Sequence, residues 1–156
     1  YGYALRFVPN ELKTEQLCLA AVQQDGWALQ FVPNELKTEQ LCLAAVERRG
    51  FALRSVPDEL KTKQFCLAAV QHYGYALRFV PNELKTEQLC LIAVRQDSWA
   101  LTFVPDELKT SKKFLRDCYR VNKTCLKYIP EEFREFATHP TGVRTKVDIR
   151  EENIFE

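Results

Sequence analysis

The chain has 156 residues, 46% of them hydrophobic and 28% charged, which is typical of one soluble globular domain. The formal net charge is +1, so the chain as a whole has no electrostatic attraction to nucleic acid or to an acidic surface. The longest apolar run, from Leu89 to Val94, is too short to span a membrane, and we recognise no signal peptide.

The sequence repeats itself every 24 residues. Residues 3–22 return with two changes as residues 27–46, with five as residues 51–70 and with one as residues 75–94. The period is marked by Gly2, Gly26, Gly50 and Gly74, with Ser98 in the fifth place, and by Pro9, Pro33, Pro57, Pro81 and Pro105. Such self-similarity is typical of a solenoid, in which each unit buries its apolar face on its neighbours.

Each repeat begins with a short segment, residues 3–8 in the first copy, that ends at a proline. Pro9 cannot continue a helix from its interior, and it opens a single helical turn in which we expect Leu12 to point inward. We predict a short helix for residues 3–8. A strand is the alternative, because large apolar residues occupy alternate positions there.

The second helix of the repeat is predicted over residues 15–24. Thr14 is a good N-cap, and Gly26 suits the left-handed position beyond the C-terminus. The apolar stripe of this helix consists of Leu17, Cys18, Ala21 and Val22. The predicted fold is therefore all-α, a solenoid of 24-residue repeats with two helices each.

Four of the six cysteines, Cys18, Cys42, Cys66 and Cys90, occupy one apolar position of successive helices. Equivalent atoms of packed helices lie roughly 8–10 Å apart, whereas a disulfide needs Cα atoms closer than about 7 Å. We therefore predict free thiols that act as small core residues, and a reducing, cytoplasmic location. The ladder disperses the donors that a metal site needs, so we expect neither a metal nor a cofactor.

The repeat decays near residue 111, where a more polar helix begins. Residues 126–133 echo residues 101–108, which indicates a degenerate C-terminal capping repeat. We predict a repeat region over 1–136, with five repeats and the cap, and a polar tail or linker over 137–156. The chain starts in mid-repeat, so we expect a fragment or a processed protein whose uncapped first repeat is prone to self-association.

The sequence contains no motif for catalysis. The two histidines, His72 and His139, have neither a repeated acid nor a nucleophile beside them in the sequence. Cys118 and Cys125 are better explained as core thiols than as a redox pair. We therefore expect no enzymatic activity.

Candidate binding residues lie where near-identical repeats differ, because packing does not dictate the side chain there. The longer helices end in different side chains, of which Arg48, Arg49, His72 and Tyr73 form the most distinctive group. Arg and Tyr are side chains that often anchor interfaces. This group is the predicted partner-binding edge.

A second stripe combines basic and aromatic residues. Its arginines are Arg6, Arg54 and Arg78, and the same repeat position is held by Gln30 and Thr102 in the other copies. The adjacent aromatic residues are Tyr3, Trp27, Phe51, Tyr75 and Trp99. Such rings can stack on bases or clasp a peptide, although aromatics at a fixed repeat position more often seal neighbouring units.

The pattern Gly-aromatic-Ala-Leu, then Glu-Leu, a polar cap and a Leu-x-Leu-x-Ala-Val helix resembles an uncharacterised bacterial tandem-repeat family. The resemblance covers about residues 2–134, and it implies no catalytic residues. Some members are effector-like, which implies delivery into a host cell. A weaker similarity is to leucine-rich-repeat variants, which alternate an α-helix with a 3₁₀-helix and imply a right-handed α-solenoid.

The function predicted from the sequence is a non-catalytic scaffold that binds a protein or peptide through its repeated surface. Single-stranded nucleic-acid binding through the arginine and aromatic stripes is the first alternative, although nucleic acid is the less favoured partner. The second is an accessory module of an enzyme whose catalytic domain is outside this sequence.

Overall fold

The computed structural model describes residues 2–139, and every regular element within this range is a helix. The first unit contains a 3₁₀-helix of six residues, a three-residue 3₁₀ turn opened by Pro9, and an α-helix of ten residues. The 3₁₀-helix Gly2–Phe7 occupies the segment for which a strand was the alternative, so the helical prediction is confirmed. Each unit has three helical elements instead of two, because the proline turn is itself a short helix.

The same three elements recur along the chain. The α-helices are α1 (Glu15–Gln24), α2 (Glu39–Arg48), α3 (Lys63–His72), α4 (Glu87–Gln96), α5 (Asp106–Lys109), α6 (Lys112–Val121) and α7 (Glu131–Thr138). The longer 3₁₀-helices are Gly2–Phe7, Gly26–Phe31, Gly50–Ser55, Gly74–Phe79, Ser98–Phe103 and Lys123–Tyr128. The short 3₁₀ turns are Asn10–Leu12, Asn34–Leu36, Asp58–Leu60 and Asn82–Leu84.

The α-helices start at side-chain caps, as the sequence predicts. The Thr14 hydroxyl accepts a hydrogen bond from the Leu17 backbone N–H at 3.3 Å. Thr38, Thr62, Thr86 and Ser111 cap the later helices in the same way. Each cap satisfies one of the N–H groups that a helix start leaves without an intrahelical partner.

The glycines are required by close approach and not by backbone conformation. None of Gly2, Gly26, Gly50 and Gly74 has a φ in the left-handed region, so the prediction of a left-handed Gly26 is wrong. A Cβ at Gly26 would lie 2.4 Å from the Ala45 carbonyl oxygen of α2. Real Cβ atoms do not approach a backbone oxygen so closely, and therefore the 3₁₀-helix can start against α2 only at a glycine.

Successive units contact one another through both kinds of helix. α1 packs on α2, α2 on α3, α3 on α4, α4 on α6, and α6 on α7. The longer 3₁₀-helices also contact each other in chain order. The units thus form a row of α-helices beside a row of 3₁₀-helices.

One continuous apolar core lies between the two rows. Of the predicted apolar stripe of α1, Cys18 and Val22 are buried, whereas Leu17 is 41% exposed and Ala21 is half-buried. In α2 all four equivalent residues are buried, namely Leu41, Cys42, Ala45 and Val46. Phe65 takes the place of Leu41 in the third unit and is also buried. The core therefore repeats with the sequence and accommodates a larger side chain at this position.

The first unit is less covered than the later ones. Leu12 is 65% exposed and Phe7 is 77% exposed, so the prediction that Leu12 points inward is wrong for this unit. The equivalent Leu36, Leu60 and Leu84 are half-buried and pack against the core. This leucine position is therefore more exposed in the first unit than in the next three.

The C-terminal helices close the described part of the row. Phe114 and Leu115 of α6 are fully buried, and α7 adds Phe136 and Ala137 to the buried residues. α7 ends at Thr138, beyond the predicted repeat boundary at 136, because Ala137 still contributes to the core. Most of the predicted polar tail, residues 140–156, lies outside the described residues.

Replacing Leu41 with alanine should lower the free energy of unfolding by about 2–5 kcal/mol, because the side chain is fully enclosed. Leu17 holds the same repeat position but is 41% exposed. Leu17→Ala is therefore the matched control and should cost about 1 kcal/mol or less. Urea unfolding followed by circular dichroism measures both, and equal losses would contradict the assigned burial.

Replacing Gly26 with alanine should lower stability by about 1–3 kcal/mol, since the new Cβ forces the Ala45 carbonyl to move. If Gly26 were needed only for backbone flexibility, Gly26→Ala would raise stability instead, because alanine ordinarily stabilises a backbone conformation that it can adopt. Ser98→Ala, at the equivalent position that already carries a side chain, is the control and should change the melting temperature little.

Candidate partner-binding surface

One face of the row of 3₁₀-helices carries a continuous column of aromatic rings. The ring centroids of Trp27 and Phe51 lie 4.7 Å apart, those of Phe51 and Tyr75 6.3 Å apart, and those of Tyr75 and Trp99 5.2 Å apart. Each contact joins one unit to the next, as the sealing interpretation predicts. The outer edges of Trp27 and Trp99 remain open to solvent.

A second row of rings meets this column edge-on. The ring of Tyr3 lies 5.3 Å from Phe31, and that of Tyr75 lies 5.2 Å from Phe103, both in T-shaped geometry. Edge-to-face pairs at these distances are favourable beyond their burial of apolar area. The aromatic face is therefore a structural seam as well as an accessible surface.

The predicted arginine stripe lies on the aromatic face. Arg6 donates a hydrogen bond to the Tyr3 hydroxyl at 2.6 Å, and Arg78 donates to the Tyr75 hydroxyl at 2.7 Å. The Arg78 guanidinium also lies 5.9 Å from the ring centroid of Phe103. These arginines are exposed, so the two predicted stripes form one basic and aromatic surface.

The predicted helix-end group is brought together around one depression. Arg48, Arg49, His72 and Tyr73 are all exposed. They line a space of about 500 Å³ together with Glu47, Gly50 and the rings of Trp27 and Phe51. We call these four residues and this space the helix-end depression.

Two contacts fix the walls of the helix-end depression. Arg49 Nε lies 3.0 Å from Asp25 Oδ1, which joins the ends of α2 and α1. The ring of Tyr73 lies 6.5 Å from that of Phe51, so the depression opens directly beside the aromatic column. Arg48 and the imidazole of His72 complete its polar wall.

The predicted arginines of the stripe are not all part of this depression. Arg54 does not line the depression but lines a smaller space with Trp27, Phe51 and Ser55. Arg6 and Arg78 belong to other units and lie along the column. The structure therefore gives one centre in the second and third units, with basic residues extending from it.

The sequence interpretation missed two lysines, Lys13 and Lys85, that each link one unit to the next. Lys13 Nζ donates hydrogen bonds to Asn10 Oδ1 at 2.8 Å and to the Phe31 carbonyl of the next unit at 2.7 Å. Lys85 donates to the Phe103 carbonyl at 3.0 Å. The signal was present, because every repeat has lysine at this position. Burial lowers the pKa of Lys85, the cost of holding the ammonium between units.

The cysteine column lies in the core, as predicted. All six cysteines of the chain are free thiols and buried. Burial raises the pKa of the Cys42 and Cys66 thiols to about 11 and that of Cys90 to about 12. A neutral thiol is a poor nucleophile and a poor metal ligand, so this chemistry favours a packing role. Within residues 2–139 no cluster of three or more potential metal ligands occurs.

The native thiols should react slowly with iodoacetamide at about pH 8, and all six should react in urea. The raised pKa also makes stability depend on pH. The folded state holds the Cys42 proton more tightly than the unfolded chain, so this contribution is present below pH 9.0 and is lost as the pH rises towards 11.

Mass spectrometry of the alkylated chain and urea unfolding across this pH range measure the two effects. Cys42→Ala is the control, and it should reduce the loss of stability between pH 9.0 and 11. Fast labelling of the native chain would show that the column is open to solvent.

The comparisons with known proteins agree with the repeat structure. No helix within residues 2–139 has both the length and the apolar character of a membrane span. The sequence profile of a family described as a domain of unknown function (DUF4116) matches residues 1–37, 38–85 and 86–134. No match was found among curated proteins or solved structures, and the similarity to leucine-rich-repeat variants has no support.

The second and third matched segments each have about the length of two repeat units. The three segments together cover most of the chain. The chain belongs to the DUF4116 family of tandem helical repeats.

Proposed function

We propose that the chain is a non-catalytic scaffold that binds a protein or peptide at the helix-end depression. The observation that supports this function is that variable side chains of two units lie around one space. Arg48, Arg49, His72 and Tyr73 are side chains in which near-identical repeats differ, and they surround one space bounded by two aromatic rings. Because α2 packs on α3, these equivalent helix ends lie side by side, and their variable side chains present one opening to a partner.

The chemistry of the depression suits a peptide segment. Tyr, Trp and Arg are the residues that most often dominate binding energy, and they combine apolar area with hydrogen-bonding groups. The space of about 500 Å³ is large enough for one or two side chains, and it opens onto the column of rings. A partner segment seated there would continue along the aromatic face.

Charge favours an acidic partner segment. Arg48, Arg54 and Arg78 are exposed on or beside this surface, whereas Arg49 is already paired with Asp25. Complementary charge increases the association rate and orients the partner more than it adds affinity. A peptide with carboxylates next to an aromatic residue fits this distribution best.

The proposal includes the arrangement of the units as an α-solenoid, whose right-handed sense stays a prediction from the sequence. The order of contacts supports the solenoid, because successive α-helices pack on one another and so do successive longer 3₁₀-helices. Such an arrangement presents a long surface at a fixed spacing. The buried free thiols support a reducing, cytoplasmic location, and the exposed Phe7 and Leu12 support self-association through the first unit.

Single-stranded nucleic-acid binding is the second candidate, favoured by the row of arginines beside rings. However, the rings already contact one another across units, at 4.7 Å between Trp27 and Phe51, and a base has no room between them. Binding to phosphates would also weaken steeply with salt, which discriminates this candidate from a peptide-binding surface.

The triple variant Arg48→Ala, Arg49→Ala and Tyr73→Ala should weaken partner capture by about tenfold or more, because it removes three anchoring side chains. Its melting temperature should change little, since the Arg49–Asp25 pair is exposed and worth less than about 1 kcal/mol. Affinity capture from a lysate, quantified by mass spectrometry, measures the first effect and circular dichroism the second.

A matched control removes side chains from the equivalent end of α4. Arg95→Ala with Gln96→Ala changes exposed residues of another unit and should leave capture intact. If the triple variant captured the same proteins as the unaltered chain, the helix-end depression would not be the binding site.

A further inference from the structure

One ring is missing from the second row of the aromatic face. In three junctions a phenylalanine of the following unit lies edge-on against the column ring, with centroid distances of 5.3, 5.1 and 5.2 Å. At the fourth junction the column ring is Trp27, and the equivalent position holds Ser55. The backbone repeat thus continues through this junction, but the phenylalanine ring that would pack against Trp27 is absent.

The missing ring leaves a space beside the column. Gly26, Trp27, Gln30, Phe51, Ala52, Arg54 and Ser55 line a pocket of about 220 Å³. A cavity of about 150 Å³ is sufficient to hold benzene. The walls include the stacked rings of Trp27 and Phe51, so a phenyl group in this pocket would find the same edge-on geometry as Phe31 against Tyr3. We call this space the Ser55 pocket.

Arg54, at the rim of the Ser55 pocket, has different neighbours from the equivalent arginines of other units. Arg6 and Arg78 each donate a hydrogen bond to the hydroxyl of a tyrosine three residues earlier. The residue three before Arg54 is Phe51, which has no hydroxyl. Among the described residues, the Arg54 guanidinium has no hydrogen-bonding partner or counter-ion, and it is exposed at the pocket.

We propose that the Ser55 pocket binds an aromatic side chain of a peptide partner, with Arg54 pairing with a carboxylate of the same segment. This inference rests on the proposed function, because it assigns one side chain of the partner to a defined place beside the helix-end depression. The Trp27 and Phe51 rings line both spaces. A single extended segment can therefore reach the arginines of α2 and the pocket together.

The occupant follows from the pocket itself. An aliphatic side chain would bury apolar area but would lose the edge-to-face contacts that the other three junctions make. The guanidinium of Arg54 selects an anionic group near the ring, because a charge-assisted hydrogen bond is stronger than a neutral one. Phenylalanine or tyrosine beside an acidic residue meets both requirements.

N-Acetyl-phenylalanine, which combines a phenyl ring with a carboxylate, is the probe. In the ¹⁵N-labelled chain, the two tryptophan indole N–H signals report on the Ser55 pocket and on a filled junction separately, because Trp27 lines the pocket and Trp99 lies 5.8 Å from Phe103. We expect the probe to shift the Trp27 signal in a saturable way and to leave Trp99 unchanged. N-Acetyl-leucine, with the same charge and no ring, should have no effect.

Two substitutions at equivalent positions test the assignment in both directions, one by filling the pocket and one by opening a new pocket at another junction. Ser55→Phe restores the residue found in the other repeats and should abolish the Trp27 response while keeping or raising the melting temperature. Phe103→Ser opens the corresponding space beside Tyr75 and should add a response at Trp99. Ser55→Ala leaves the pocket open and should bind as the unaltered chain does. If Ser55→Phe fails to fold, Ser55→Leu fills the same space.

Absence of a saturable Trp27 shift, or an equal shift in the filled variant, would overturn the pocket. Neither result bears on capture by the helix-end depression, which the triple variant tests. Panning a random peptide library on the unaltered chain tests the occupant. Enrichment of aromatic residues next to acidic ones, lost with Ser55→Phe, is the expected result, and enriched peptides without aromatic residues would overturn the assignment.

Discussion

The close approach of each longer 3₁₀-helix to the α-helix that follows it sets the geometry of the unit. A Cβ at Gly26 would occupy nearly the place of the Ala45 carbonyl oxygen, so the two helices meet at backbone contact. The same approach recurs at Gly50 and Gly74. With the helices in this contact, the rings of Trp27 and Phe51 stack at 4.7 Å, and Lys13 and Lys85 reach carbonyls of the next unit.

A nearly exact repetition makes the exceptions informative. Where every unit has the same residue, packing is a sufficient explanation, as for the threonine caps and the buried cysteines. The second and third units depart from the pattern at Arg48, Arg49 and Tyr73, which line one opening, and at Ser55, which lines another. Both groups open to solvent beside the same rings. Variation and accessibility thus coincide in one region of the surface.

Much of the fold could be predicted from the sequence, because its determinants are local. Thr14 and Pro9 fix the start of the helix and the end of the preceding segment through their own chemistry. The role of Gly26 could not be predicted, since a glycine after a helix can serve either as a left-handed cap or as a point of close approach. The nearby Ala45 carbonyl, which identifies the second role, is visible only in the structure. The same holds for the site, whose variable residues were identifiable while the space beside Ser55 required the three filled junctions for comparison.

Near-identical units can pair with the wrong neighbour during folding. A helix of one unit fits against the wrong neighbour almost as well as against the right one, and misassembly of this kind is a characteristic failure of repeat proteins. Phe65 is larger than the leucines at its position in the first, second and fourth units, and it is fully enclosed. A chain paired out of step would either leave this ring without its cavity or leave a void in its place. The third unit can therefore act as the landmark that sets the register of the whole array.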